Sequence, residues 1–259
     1  MSKLLVFVLR LKSPLQLRNI LNNLLTARGI NYSLGTLHKH HTNFSAELEK
    51  TIQSETNFKN ICHLKKYVRK HTKWHRENDC TNLHYFNYLL LDPRVTNNLR
   101  ERASSLHLMD VWYTFLRAIF YVGKGKANRP YVHLKRAHKL LNETNSITLA
   151  KDPKLALIVS IWRAKRGILL MRAFRRISSP DAETREASII DALGMNHLTN
   201  RRLGVYCGQA RSSLSNKERK YLGIALLYKL MQKFLETEER ELYPLPNTKS
   251  VDFKVAMEA

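Results

Sequence analysis

Residues 83–210 hold the clearest hydrophobic patterning in the chain. Tyr85-Phe86-Asn87-Tyr88-Leu89-Leu90-Leu91 is a near-continuous apolar run stopped by Asp92-Pro93, which reads as a buried strand. Residues 94–115 are polar and helix-like in places. Ala118-Ile119-Phe120-Tyr121-Val122 predicts a second strand, followed by a turn at Gly123-Lys124-Gly125-Lys126. Arg129-Pro130 opens a helix through Leu140-Leu141, because proline suits the first helical turn. A second helix follows Asp152-Pro153, and Gly167–Met171 begins a third strand. Ser179-Pro180-Asp181 caps a third helix that Gly194 ends. Upstream, Ser13-Pro14 starts an amphipathic helix that stops at Gly29, and downstream a leucine-rich stripe predicts one helix from Lys217 to about Leu242. Strands with helices between them give an α+β class with one small sheet.

Charge narrows the function. The 259 residues hold 44 Lys+Arg against 21 Asp+Glu, a net of +23. Residues 1–82 carry +9, 83–210 carry +12 and 211–259 only +2, which suggests a division into a basic amino-terminal extension, a central domain and a closing helix with its tail. A polyanionic partner would offset the self-repulsion, with nucleic acid foremost and an anionic membrane surface acting on residues 1–46 second. No apolar run is long enough to span a bilayer, so stable membrane insertion is not expected. Three dispersed cysteines argue for a reducing compartment, with cytoplasm and nucleus expected. The acid-poor opening, whose first carboxylate is Glu47, keeps organelle import as a lesser reading. The histidines at 38, 40, 41, 63, 71 and 75, with Cys62 and Cys80, match no closed zinc pattern. They are expected to be exposed, although His71 and His75 share a helical face. Trp112, Tyr113 and Trp162 are expected in the core.

Phosphodiester hydrolysis needs a cation and a guanidinium for the charge that builds on phosphate, a carboxylate for the metal, and a group to take a proton from water. Arg129 with His133 one turn later, Glu186 on a helix, and the strand tyrosines Tyr88 and Tyr121 supply these types. Lys124 and Lys126 are candidate phosphate contacts. A basic stretch of Arg163, Lys165, Arg166, Arg172, Arg175 and Arg176 is a candidate backbone track.

The order Tyr88, Tyr121-Val122-Gly123, Arg129-x₃-His133, Glu186, Asn200 resembles the GIY-YIG endonuclease family. Phe86-Asn87-Tyr88 stands where that family has Gly-Ile-Tyr. The strings FNYLLLDPRVTNNL, RAIFYVGKGKANRPYVHL, TREASIIDALG and LTNRRLGVYCG are similar to its ankyrin-repeat and LEM-domain branch, over about Leu83 to Pro244. The resemblance implies a three-stranded antiparallel sheet flanked by helices and a metal-dependent DNA endonuclease. It further implies Mg²⁺ or Mn²⁺ on Glu186, phosphate held by Arg129, and water oriented or deprotonated by Tyr88. Tyr121, His133 and Asn200 would complete the network. Cleavage of branched or bridging DNA in genome maintenance and repair, leaving 5′-phosphate ends, comes from the same likeness. The alternatives are a non-catalytic basic nucleic-acid-binding module and an RNA nuclease on the same scaffold. No protein partner is indicated.

Overall fold

In the computed structural model, residues 43–78, 83–142, 152–237 and 240–244 are described. The amphipathic segment at 13–29, the acid-poor opening, the histidines at 38–41, Cys80 and the His75 side chain lie outside the described residues.

Three strands, β1 (Tyr85–Leu91), β2 (Ile119–Gly125) and β3 (Ile168–Ile177), pair antiparallel with β1 in the centre. A two-residue β4 (Glu241–Leu242) adds to β3, giving the order β2-β1-β3-β4. The sheet therefore has four strands, not three. The same residues correct the expected long tail helix, which ends at Glu236 with Thr237 already extended. Side-chain bonds drive this exchange of helix for strand. Glu241 accepts from Arg166 and from the amide of Gly167, and the indole of Trp162 donates to the Leu242 carbonyl at 2.9 Å. The third strand also runs to Ile177, well past Met171, through a bulge opposite Phe86 where Phe174 and Arg176 take positive φ.

Helices cover both faces of the sheet, which is why β1 reads as a continuous apolar run. On one face, Phe86, Tyr88 and Leu90 pack against α7 (Tyr131–Asn142) and α8 (Pro153–Arg163). On the other, Leu89 and Leu91 meet α6 (Leu108–Ala118), α9 (Ser179–Leu193) and α11 (Asn216–Glu236). The short helices α4 (Pro93–Thr96), α5 (Leu99–Arg102) and α10 (Gly208–Ser213) link these elements. Caps set the boundaries. Asp152 accepts from the amides of Lys154 and Leu155 at the start of α8, and Ser215 with Glu218 forms a capping box on α11. The cap of α9 is Ser178, one residue before the expected Ser179.

Three further helices precede the sheet: α1 (Ala46–Gln53), α2 (Glu55–Lys59) and α3 (Ile61–Asn78). Leu48, Phe58 and Ile61 join the same hydrophobic cluster as Trp112, Phe115 and the apolar side of α11. A shared core thus joins segments on both sides of positions 82 and 210. Trp112, Tyr113 and Trp162 are buried, and the Trp112 indole donates to the Thr51 hydroxyl at 3.0 Å. His71 is not an exposed histidine. Its ring is fully buried, with Nε2 at 2.6 Å from Asp181, whose carboxylate also receives Arg185. This network pins α3 to the first turn of α9.

Candidate active site

β2 is an edge strand, so its outward amides and carbonyls need partners. Side chains and backbone from α9 and the loop after it supply them in order. The Phe120 carbonyl accepts from both the amide and hydroxyl of Thr199, at 2.8 and 2.9 Å. Asn200 imitates a neighbouring strand at Val122, accepting from its amide at 3.1 Å and donating to its carbonyl at 2.8 Å. The amide of Lys124 faces Glu186 and favours its charged form. The arrangement positions the Glu186 carboxylate beside β2, at the rim of the sheet.

Glu186 lines a cleft of about 780 Å³ together with Tyr121, Lys124, Lys126, Arg129 and Asn200. Burial pushes the Glu186 carboxyl up to about 7. The charge and amide of Lys124 and the charge of Arg129 pull the other way, while Glu183 adds to the rise. Arg129 is exposed at the mouth, with its stem packed on Gly125, where a Cβ would come 2.9 Å from the Arg129 Cβ.

Behind the cleft wall, Tyr88, Tyr121 and His133 form a cluster. The Tyr88 hydroxyl lies 3.0 Å from Nε2 of His133, and the Tyr121 ring stands edge-on to His133 at 5.0 Å between centroids. Tyr88 is almost wholly buried and faces Gly123 across the strand pair. A Cβ at 123 would meet its Cζ at 2.4 Å, so only glycine leaves room for this ring. Burial, with Tyr121 and Glu186 adding to it, raises the Tyr88 phenol well above its ordinary value. Burial also raises Tyr121. The His133 imidazole is pushed down to about 3, by burial first and then by Lys154, Arg129 and Arg136. It is neutral at physiological pH. In the tautomer with hydrogen on Nδ1, Nε2 accepts from Tyr88.

Asn87, the polar residue within β1, is buried and donates to the Ala182 carbonyl at 2.9 Å, tying the central strand to α9.

The basic stretch does not gather on this cleft. Arg163 and Lys165 are exposed at the end of α8 remote from Asp152 and Lys154, which line the cleft. Arg166 is engaged by Glu241. Arg172 lies over the rings of Phe86 and Tyr131, each 5.1 Å from its guanidinium. Arg175 and Arg176 are exposed on the β3 bulge, outside the cleft lining. Lys124 does line it but is paired with Glu183.

Several cleft residues carry no assignment from sequence reasoning. Glu183 accepts from Lys124, Cys207 and Ser179, and its place three residues before Glu186 is a readable sign of a shared helical face. Burial first, then Glu183, pushes the Cys207 thiol up to about 11, which leaves it protonated. Lys154 stands with Nζ 4.2 Å from the Tyr121 ring centroid, and burial lowers its ammonium to about 8. A lysine in the first turn of a helix opposes the helix dipole, and that misplacement is the available signal.

The family profile described as the LEM-3-like GIY-YIG domain matches residues 85–249. The chain belongs to that family. Its GIY-YIG domain therefore takes in the sheet, the cleft and α11, while α1–α3 precede it. Ankyrin repeat and LEM domain-containing protein 1 of Mus musculus is 42% identical over 159 residues, covering 61% of this chain and 29% of that protein. The Homo sapiens protein of the same name is 40% identical over 159 residues, 61% of this chain and 26% of its own. The Caenorhabditis elegans homolog is 35% identical over 127 residues, 49% and 17% respectively. The matched part spans under a third of these relatives' length. No solved structure matches the chain significantly.

Proposed function

We propose that this GIY-YIG domain is a metal-dependent DNA endonuclease acting on branched or bridging DNA. The observation that carries the reading is the joint lining of one cleft by Glu186 and Arg129, a carboxylate and a guanidinium 57 positions apart in sequence. The cellular setting implied by the sequence resemblance, genome maintenance in nucleus and cytoplasm, belongs to the proposal.

The donor chemistry fits Mg²⁺ or Mn²⁺ held by a single carboxylate. Glu186 is a buried-side carboxyl raised by desolvation, so a cation beside it recovers the cost of ionising it. Among the described residues no group of three or more His, Cys, Asp and Glu side chains converges as a metal cage. That suits an ion that keeps most of its water. When bound, such an ion supplies Lewis-acid stabilisation of the phosphate.

The chain's own side chains would do the rest. Arg129, at the cleft mouth, binds a phosphate oxygen and opposes the charge that builds there. Burial raises the Tyr88 phenol, so in the metal-free protein it is not a free phenolate base. It acts instead as a relay behind Tyr121, which lines the cleft: as a proton from water is handed on to the Tyr88 oxygen, its own proton passes to Nε2 of neutral His133. The positive charges of Lys154, Arg129 and Arg136 weaken His133 as an acceptor, and a bound phosphate offsets them. Asn200 keeps β2 in place. The family resemblance adds 5′-phosphate ends to this proposal.

The test is incubation of supercoiled plasmid, branched oligonucleotides and matched RNA with Mg²⁺ or EDTA, beside Glu186→Ala. Nicking that requires Mg²⁺ and is lost in the variant supports the reading. Metal-dependent nicking that persists in Glu186→Ala removes the metal assignment, and DNA binding without any nicking favours a non-catalytic module.

A further inference from the structure

Helices α3 and α11 lie side by side and leave an open groove of about 670 Å³ between them, distinct in its lining from the cleft. Lys65, Arg69 and Lys73 come from α3 and Lys229 from α11, with Gln232 and the ring of Tyr228 between them. Among the described residues no carboxylate lines this groove. On another side of α3, Lys66 and Lys70 have Glu218 as a counter-charge.

The spacing of the cations is informative. Positions 65, 69 and 73 recur every four residues, which sets them in one row along the helix. Each step advances about 6 Å along the axis. Like charges at this interval oppose helix formation. Buried contacts made elsewhere hold the row in place: Ile61 in the core and His71 on Asp181. Asp181 lies five residues before Glu186 on α9, so the row is rigidly tied to the helix that lines the cleft.

We infer that this groove is a second nucleic-acid site, which takes the phosphate backbone of a duplex arm outside the cleft. An open row of separated cations suits a polyanionic strand better than a small anion, which needs convergent donors. A membrane surface suits it poorly. Membrane-lying helices present large exposed apolar side chains, and those exposed among the described residues (Leu83, Leu108, Val132, Leu203, Val205 and Tyr243) are on neither α3 nor α11. Helix α3 precedes the family-matched region, so the site is a property of this chain rather than of its GIY-YIG domain alone. The choice of DNA as the ligand rests on the nuclease reading.

The test uses the full chain with Lys65→Gln, Arg69→Gln and Lys229→Gln combined. Affinity for a long duplex is measured in EDTA as a function of salt, so that no cleavage intervenes. Three lost phosphate contacts should reduce the slope of log affinity against log salt by about 2.7 and weaken binding by on the order of tenfold or more. Cleavage of a short saturating oligonucleotide should not change. The variant Lys65→Arg with Lys229→Arg should keep both affinity and slope, which separates charge from folding. An unchanged slope in the folded glutamine variant overturns the inference. So does loss of binding to phosphatidylserine vesicles with DNA binding intact. If the wild type binds DNA but never nicks it, a flattened slope still upholds the groove while the nuclease reading fails. If the wild type nicks and the slope is unchanged, the groove fails and the nuclease reading stands.

Discussion

The phenolic oxygen of Tyr88 lies 3.0 Å from Nε2 of His133, on a strand and a helix whose positions differ by 45 in sequence. The strand places the ring beneath the cleft, and burial keeps both partners uncharged. If the pair works as a relay, its members act as a unit. Tyr88→Phe and His133→Ala should each lower kcat by about 10²–10⁴. The double variant should be little worse than either single one. Single-turnover cleavage of a branched oligonucleotide measures all three, and multiplying effects would separate the two residues.

Gly123 gives the Tyr88 ring its space. Gly123→Ala puts a methyl group within 2.4 Å of Cζ and 2.6 Å of the hydroxyl oxygen, against a ring that is 1% exposed and has nowhere to retreat. Overpacking of this kind costs about 1–3 kcal/mol. Urea denaturation should show that loss, and activity should fall together with it because the hydroxyl is displaced from His133.

The buried carboxylate of Asp181 makes stability depend on acidity. Burial alone would raise its pKa, but hydrogen bonds from His71 and Arg185 and the Arg185 charge outweigh it and hold the carboxyl well below its ordinary range. In acid the unfolded chain therefore takes up a proton that the folded chain refuses. Its stabilising contribution is complete above an unfolded aspartate's pKa of about 3.9 and is lost as pH falls through the lower folded value. Asp181→Asn should cost about 3–5 kcal/mol near neutrality, since Arg185 is left buried without its partner. The variant should also show a flatter decline in stability below about pH 4. Equilibrium unfolding across a pH series reads both.

Truncation to start at Leu83 should abolish folding rather than trim an appendage. It removes Leu48, Phe58 and Ile61 from the core and His71 from Asp181. Each large apolar side chain lost from such a site costs about 2–5 kcal/mol, against a total stability of about 5–15 kcal/mol. Circular dichroism and limited proteolysis of the truncated chain provide the check. A cooperative, well-folded product would show that α1–α3 are dispensable.

Local patterning along the chain was enough to locate β1, β2, α8, α9 and the onset of β3. A buried strand, a proline-started helix and a glycine stop are each decided within a few residues. The candidate cleft residues Tyr121, Arg129, Glu186 and Asn200 were legible for a related reason: their order and spacing make a motif. What no local pattern contains is the partner of a side chain far along the chain. The pairing of Glu241–Leu242 with β3, the meeting of His71 with Asp181, the closure of Glu183 on Lys124 and the approach of Lys154 to Tyr121 all depend on which surfaces the packed sheet and helices bring together. Those contacts follow from burial and hydrogen-bond satisfaction in three dimensions, over separations as large as 110 residues. Hydrophobic periodicity dictated the elements, and tertiary packing alone determined which charges they would share.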